Sequence, residues 1–251
     1  MGAVAVKTNH DQKWDENNSS SHSESAANHP CRQTDERQLP GFNRYPLVHW
    51  GQVRTTVNAM EYSKSTAFIV VDVQNDFADP KGSLYVPGGE ESIGFVNEEI
   101  SKAAGAGARI VYSQDWHPES TPHFQKDGGI WPVHCVAGTH GAEFHPDLFV
   151  TDDAVFIRKG VGGEDGYSAF NLRDPESGEV TPTGLTNQLK GIDRAVVVGL
   201  ALDYCVKETA IDAAALFDTT LLADGTRAVN LNPGDAARAV AGMVLAGVAI
   251  E

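Results

Sequence analysis

No stretch of the 251 residues approaches the roughly 18 to 20 unbroken apolar positions that a membrane span requires, and the first thirty lack the basic-then-apolar order of a secretory signal. Both absences lead to the expectation of a soluble, cytoplasmic protein with no membrane partner. Cysteine is scarce. Cys31, Cys135 and Cys205 are too few and too scattered for a disulfide framework, so a special cysteine here is expected to be reactive rather than structural. Basic charge is also short: 19 Lys and Arg against 34 Asp and Glu leave a net charge of -15. That balance argues against nucleic acid, a partner that needs a surplus of cations to neutralise its phosphates. Apolar residues are not lacking, since 41% of the chain is hydrophobic, which suffices for a sizeable core and excludes a wholly disordered chain.

The negative charge is unevenly placed. Residues 1–59 hold six Lys or Arg and six Asp or Glu, so the whole excess lies from Met60 onward. The early segment, with SHSESAANHP and CRQTDERQLP, is rich in Ser, Asn, His and Gln and shows no apolar period of 2 or 3.6. It is expected to be a disordered extension, or to precede a true start at Met60, which stands directly before EYSKSTAFIVVDVQNDF. Residues 60–251 are then the functional domain. No repeat of the solenoid kind interrupts it.

From residue 67 short β-branched runs alternate with helical stretches. Residues 67–71, 109–112, 154–157, 195–199 and 219–222 are apolar without alternation, as expected for parallel strands covered on both faces. Residues 90–106, 183–190, 202–217 and 232–245 are long enough for crossover helices. The pattern predicts an α/β three-layer sandwich, with a mostly parallel central sheet and helices on both faces. Residues 115–149 carry Pro, Gly, His and Trp without a period. A long irregular segment inside a compact domain is usually functional.

Polar residues collect where the strands end, which is where open parallel sheets bind ligands. Asp72 ends the first strand in VVDVQNDF, Asp115 the second in SQDWH, Lys159 follows the third in FIRKG, and Cys205 follows the fourth in VVVGLALDYCV. Each alone reads as a cap, a solvated side chain or a small buried hydrophobe. Together, Asp72, Lys159 and Cys205 make a nucleophile with its activating partners. Cys205 is expected in the first turn of a helix, where free N–H groups and the helix dipole lower a thiol's pKa. Asp72 would take the thiol proton and return it to a leaving amine, while Lys159 balances the Asp charge. Backbone N–H groups at Ala201 and Cys205 would form an oxyanion hole. The chemistry is acyl transfer to sulfur followed by hydrolysis.

A second cluster lies in the irregular segment. Asp115, His117, His123 and His134 fall close together, and three of the five histidines after Met60 occupy one window of 18 residues. Imidazole and carboxylate suit a divalent transition metal, namely zinc, iron or manganese, with zinc favoured. Cys135 adjoins His134 but lacks a helix start, and is read as packing.

The motifs VVDVQNDF, GSLYVPGG, DWHPESTPHF, WPVHCVAGTHGAEFHP, KG, GYSAF and GLALDYCV, in that order, resemble those of the nicotinamidases of pyrazinamidase type, within the isochorismatase-like cysteine hydrolases. The resemblance runs from Ala67 to the C-terminus. It implies that Asp72, Lys159 and Cys205 are the catalytic triad and that Asp115, His117 and His134 hold a metal. His123 matches an additional ligand of some relatives. It also implies a cis peptide at Leu200-Ala201, and a pocket in which Phe77, Trp131 and Tyr167, with Leu200, hold a flat pyridine ring. The implied reaction is hydrolysis of nicotinamide, and of pyrazinamide, to the acid and ammonia, feeding salvage of pyridine nucleotides. Relatives acting on carbamoyl groups or isochorismate, and a redox sensor or inactive homologue, are the alternatives. Monomer and homo-oligomer both stay open. The loop VGGEDGYSAF departs from the family pattern, and its Glu164 and Asp165 are placed to alter access.

Overall fold

The computed structural model describes residues 60–251, so the expectations for residues 1–59 fall outside the described residues. Strands β1 (Thr66–Val71), β2 (Arg109–Asp115), β3 (Val155–Lys159), β6 (Arg194–Leu200), β7 (Asp218–Arg227) and β8 (Ala249–Ile250) form one sheet in the order β3-β2-β1-β6-β7-β8. Every neighbouring pair is parallel. The remaining strands, β4 (Asn171–Arg173) and β5 (Val180–Pro182), pair antiparallel in a separate hairpin. The chain builds outward from β1 through β2 to β3, then returns to lay β6 on the other side of β1. The order therefore reverses between β1 and β6, and a reversal of this kind opens a crevice at the carboxyl ends of the two strands.

Side-chain alternation explains the layers. In β1, Phe68 and Val70 enter one buried cluster, and Ala67, Ile69 and Val71 enter the other. Helix α2 (Gly89–Gly105) covers the first face with Ile93, Val96, Ile100 and Ala103, spaced three or four residues apart as one helical stripe. Glu90 and Glu91 in its first turn and Lys102 in its last complement the helix dipole. The opposite face is covered by α3 (Leu185–Gln188), α4 (Lys207–Ala214) and α5 (Asp235–Leu245), through Leu185, Ala210, Ala213 and Met243. The three-layer expectation holds, and the sheet is more uniformly parallel than expected.

Three expected helices are corrected. Residues 183–190 form only the single turn of α3, because Pro182 ends β5 and Gly184, at φ 90, delays the helix to Leu185. Residues 202–217 are broken into a π-helical turn, Leu202–Val206, followed by α4. The widened turn is closed by the Val206 N–H donating to the Ala201 carbonyl at 3.1 Å, five residues back. Residues 232–245 start late at Asp235, after Gly234 at φ 86. Short helix α1 (Asn75–Ala78), just after β1, and the β4–β5 hairpin carry no apolar period that sequence could disclose. The irregular segment is pinned by isolated backbone bridges, His117 to Val136, Phe124 to Trp131 and Gln74 to Phe144.

Candidate active site

The carboxyl ends of β1, β2, β3 and β6 bring the separate strand-end residues into one crevice. Asp72 leaves β1 in a left-handed conformation, φ 49, uncommon for a residue with a side chain. Its carbonyl and N–H are both held, by Gln74 N–H at 2.8 Å and Ser113 carbonyl at 3.2 Å. Fully buried Lys159 donates to Asp72 Oδ2 at 2.6 Å, to Asp115 Oδ1 at 2.7 Å and to the Gly166 carbonyl at 2.5 Å. All three ammonium protons are thus used. A Cβ at position 166 would lie 2.7 Å from Lys159 Cβ, so only glycine lets that carbonyl approach. Ser113 Oγ donates to Asp72 Oδ1 at 2.7 Å.

Cys205 is buried in the π-helical turn, with Sγ and carboxylate oxygens of Asp72 and Asp115 all within 4.8 Å of one another. The expectation of an acidified thiol needs correction. Burial pushes the Cys205 pKa well above its ordinary value, and the carboxylates of Asp115 and Asp72 add to this, against the opposing pull of Lys159. A thiol that rests neutral needs a base, and Asp72 supplies one. Burial raises its pKa to about 6 despite the attraction of Lys159. Asp115 behaves oppositely. Burial resists its ionisation, yet Lys159, His117 and His134 outweigh burial and hold the carboxyl well below the usual range. Lys159 stays charged, because Asp115 and Asp72 overcome the penalty of its burial.

On the other side of Asp115, His117, His123 and His134 are all buried and offer ring nitrogens within 4.8 Å of one another. Asp115 Oδ2 lies 3.7 Å from His117 Nε2 and 3.9 Å from His134 Nε2. Burial drives the His134 pKa down to about 4, so its imidazole is neutral and able to ligate. Among the described residues neither ring nitrogen of His117 has a hydrogen-bond partner. An unpaired buried polar group costs about 1–3 kcal/mol unless something completes it. A loop presses on this ring: a Cβ at Gly160, φ 69, would sit 2.5 Å from His117 Nδ1. Three neutral-capable imidazoles beside an ionised carboxylate fit a divalent transition metal.

Above both clusters lies a narrow cleft, with a cavity volume of about 30 Å³, lined by Phe77, Trp131, Tyr167, Ala201, Cys205 and Val229 among others. Trp131 Nε1 donates to the Tyr167 hydroxyl at 2.9 Å, and Phe77 packs on the His134 ring at 5.5 Å between centroids. Leu200 is a correction. Its side chain is fully buried in the core below, with Cδ1 toward Gly89, and Ala201 lines the cleft in its place. The Leu200-Ala201 peptide is cis. Cys135 is buried, with its N–H donating to Asp76 Oδ2 at 2.7 Å, and does not line the cleft.

Sequence reasoning missed several contributors. Tyr204, next to Cys205, lines the cleft edge-on to Trp131 at 4.8 Å. Leu84 and Val86 line it from GSLYVPGG, a motif that had been given no role. Gln74 clamps Asp115, accepting its N–H at 2.8 Å through Oε1 and donating Nε2 to its carbonyl at 2.8 Å. Its signal was only its place two residues after Asp72.

The isochorismatase domain family matches residues 66–250. The nicotinamidase of Escherichia coli (strain K12) is 36% identical over 203 residues, which cover 73% of this chain and 93% of the relative. Among solved structures, the pyrazinamidase of Pyrococcus horikoshii in complex with zinc superposes with a TM-score of 0.66 at 39% identity, covering 74% of this chain and 98% of that one. PnC1 from L. infantum in complex with nicotinate gives 0.69 at 37% identity, covering 77% and 96%.

Proposed function

The chain belongs to the isochorismatase domain family, and on that premise we infer that it is an amidohydrolase converting nicotinamide to nicotinate and ammonia. The observation that carries the mechanism is the crevice itself, where a buried thiol, a carboxyl poised near neutrality and a fully bonded ammonium meet under a small aromatic-lined cleft. Pyrazinamide, with one more ring nitrogen, is a second substrate.

Asp72 takes the proton from Cys205 Sγ as the sulfur attacks the carboxamide carbon. The oxyanion forms against the backbone N–H groups of Ala201 and Cys205, a kind of contact whose loss costs about a hundredfold or more in rate. Asp72 then passes its proton to the departing nitrogen, which leaves as ammonia, and the acyl group stays on sulfur as a thioester. A water molecule, losing its proton to Asp72, attacks the thioester carbon; the C–S bond breaks, and the thiolate recovers that proton. Lys159 holds Asp72 in place and keeps the buried pair of carboxylates from repelling each other. Phe77, Trp131 and Tyr167 flank the ring.

Asp115, His117 and His134 would hold a divalent metal, with His123 placed as an additional ligand. Zinc is the proposed ion, since the nitrogen and oxygen donors suit it and the Pyrococcus horikoshii relative was solved with zinc. Bound there, it supplies a Lewis acid that polarises the ring nitrogen or a water molecule. The reaction returns the pyridine ring to nucleotide salvage in the cytoplasm.

Purified, metal-quantified protein incubated with nicotinamide tests the proposal by ammonia release, with Cys205→Ala alongside. Release by the wild type and a loss of at least about a thousandfold in the variant, which still binds nicotinamide, is the expected result. Silence from folded, metal-replete wild type would remove the substrate, and substantial turnover by the variant would remove the nucleophile.

A further inference from the structure

The three imidazoles differ in what holds their second nitrogen. His134 Nδ1 donates to the Pro132 carbonyl at 2.7 Å, and His117 Nδ1 has no partner among the described residues. His123 Nδ1 alone faces a carboxylate, Asp165 Oδ1 at 2.9 Å. We propose that Asp165 is a positioning residue of the metal centre, fixing the tautomer and aim of His123 and thereby strengthening its grip on the ion. The proposal rests on the metal centre inferred above.

Hydrogen bonding of Nδ1–H to a carboxylate leaves Nε2 as the unprotonated nitrogen and raises its basicity, which is how outer carboxylates tune histidine ligands. The surroundings hold Asp165 firmly enough to do this. Its N–H donates to the Arg173 carbonyl at 2.7 Å and its carbonyl accepts the Arg173 N–H at 3.0 Å, extending the β4–β5 hairpin by one bridge. A second stitch lies two residues back, where Thr121 Oγ1 donates to the Gly163 carbonyl at 3.2 Å. Thr121 and Gly163 each stand two residues before the paired side chains, so the His123 loop and the Asp165 loop are joined at two points. The next residue, Gly166, gives its carbonyl to Lys159. One short loop therefore touches the triad and the metal ligands together. A hydrogen bond with no further role would leave metal binding unmoved.

Zinc affinity of the full chain, measured by competition with a chromophoric chelator at neutral pH, separates the two. Asp165→Ala is expected to weaken zinc about 10- to 100-fold. Asp165→Asn, which keeps an acceptor oxygen without the charge and preserves the shape of the loop, should fall between. In a His123→Ala background, Asp165→Ala should have no further effect. Wild-type affinity in Asp165→Ala, or an equal further loss in the His123→Ala background, overturns the proposal while leaving the metal centre intact. Failure of the wild type itself to bind zinc would instead overturn the metal centre and the proposal with it.

Discussion

Replacing Lys159 by Met keeps the length of the side chain and removes its charge, which isolates the electrostatic work of the most buried cation in the crevice. Lys159 bonds two fully buried carboxylates at 2.6 and 2.7 Å. Breaking a buried pair by removing one partner costs about 3–5 kcal/mol, because the other charge is left uncompensated. Here two carboxylates are stranded side by side, so the pKa of Asp115, held low by Lys159 in the wild type, should rise above the unfolded value, and that of Asp72, already raised by burial, should rise further. The folded variant then binds more protons than the unfolded chain between about pH 4 and the raised pKa, and its stability falls as pH rises through that window. At about 1.4 kcal/mol per pH unit for one proton, Asp115, ionised throughout this range in the wild type and lifted above pH 8 in the variant, makes the variant's deficit about 4 kcal/mol larger at pH 8 than at pH 5. Urea unfolding of chelator-treated wild type and Lys159→Met, followed by tryptophan fluorescence at pH 5, 6.5 and 8, reads the gap at each pH. A gap below about 1 kcal/mol at pH 8, or one that does not narrow toward pH 5, would refute the account of Lys159 as the neutralising charge.

Asp72 acts as a base only when ionised, so with its pKa raised by burial to about 6 the kcat/KM for nicotinamide should be flat above that pH and fall about tenfold per unit below it; an acid limb set near pH 4 would detach Asp72 from the role. His117→Ala should leave the protein with little bound zinc and little activity, measured by metal analysis and ammonia release, whereas full activity without metal would reduce the cluster to a structural loop. Deleting residues 1–59 should leave kcat, KM and the melting temperature nearly unchanged, and an insoluble product would show that those residues belong to the domain.

The strands were the most legible part of the fold. The run at residues 67–71 is β1 short of one residue, and that at 109–112 is β2 without its polar end. Continuous apolar runs mean burial on both faces, a condition the central strands of the parallel sheet meet. Helix α2 was equally plain, since seventeen residues carry one apolar stripe. The β4–β5 hairpin was not, because three-residue strands that are mostly exposed leave no pattern. In the site, residue types at strand ends disclosed Asp72, Asp115, Lys159 and Cys205 as chemistry waiting for a geometry. Leu200 was misplaced because the residue before a turn can point either way, and only packing against Gly89 decides it.

The sequence by itself determined the layering, the strand ends that carry polar residues, and the histidine-rich window, because these depend on short-range pattern. Only the tertiary structure decided what those residues do to one another. Asp72 and Lys159 are 87 positions apart and become bonded when β1 and β3 flank β2. The thiol expected to be acidic is held neutral by burial, a property of the assembled crevice rather than of any helix start. Likewise the hydrogen bond of His123 with Asp165, 42 positions apart, exists because two loops meet. Protonation states and ligand tautomers follow from burial and neighbours, which no local stretch of sequence contains.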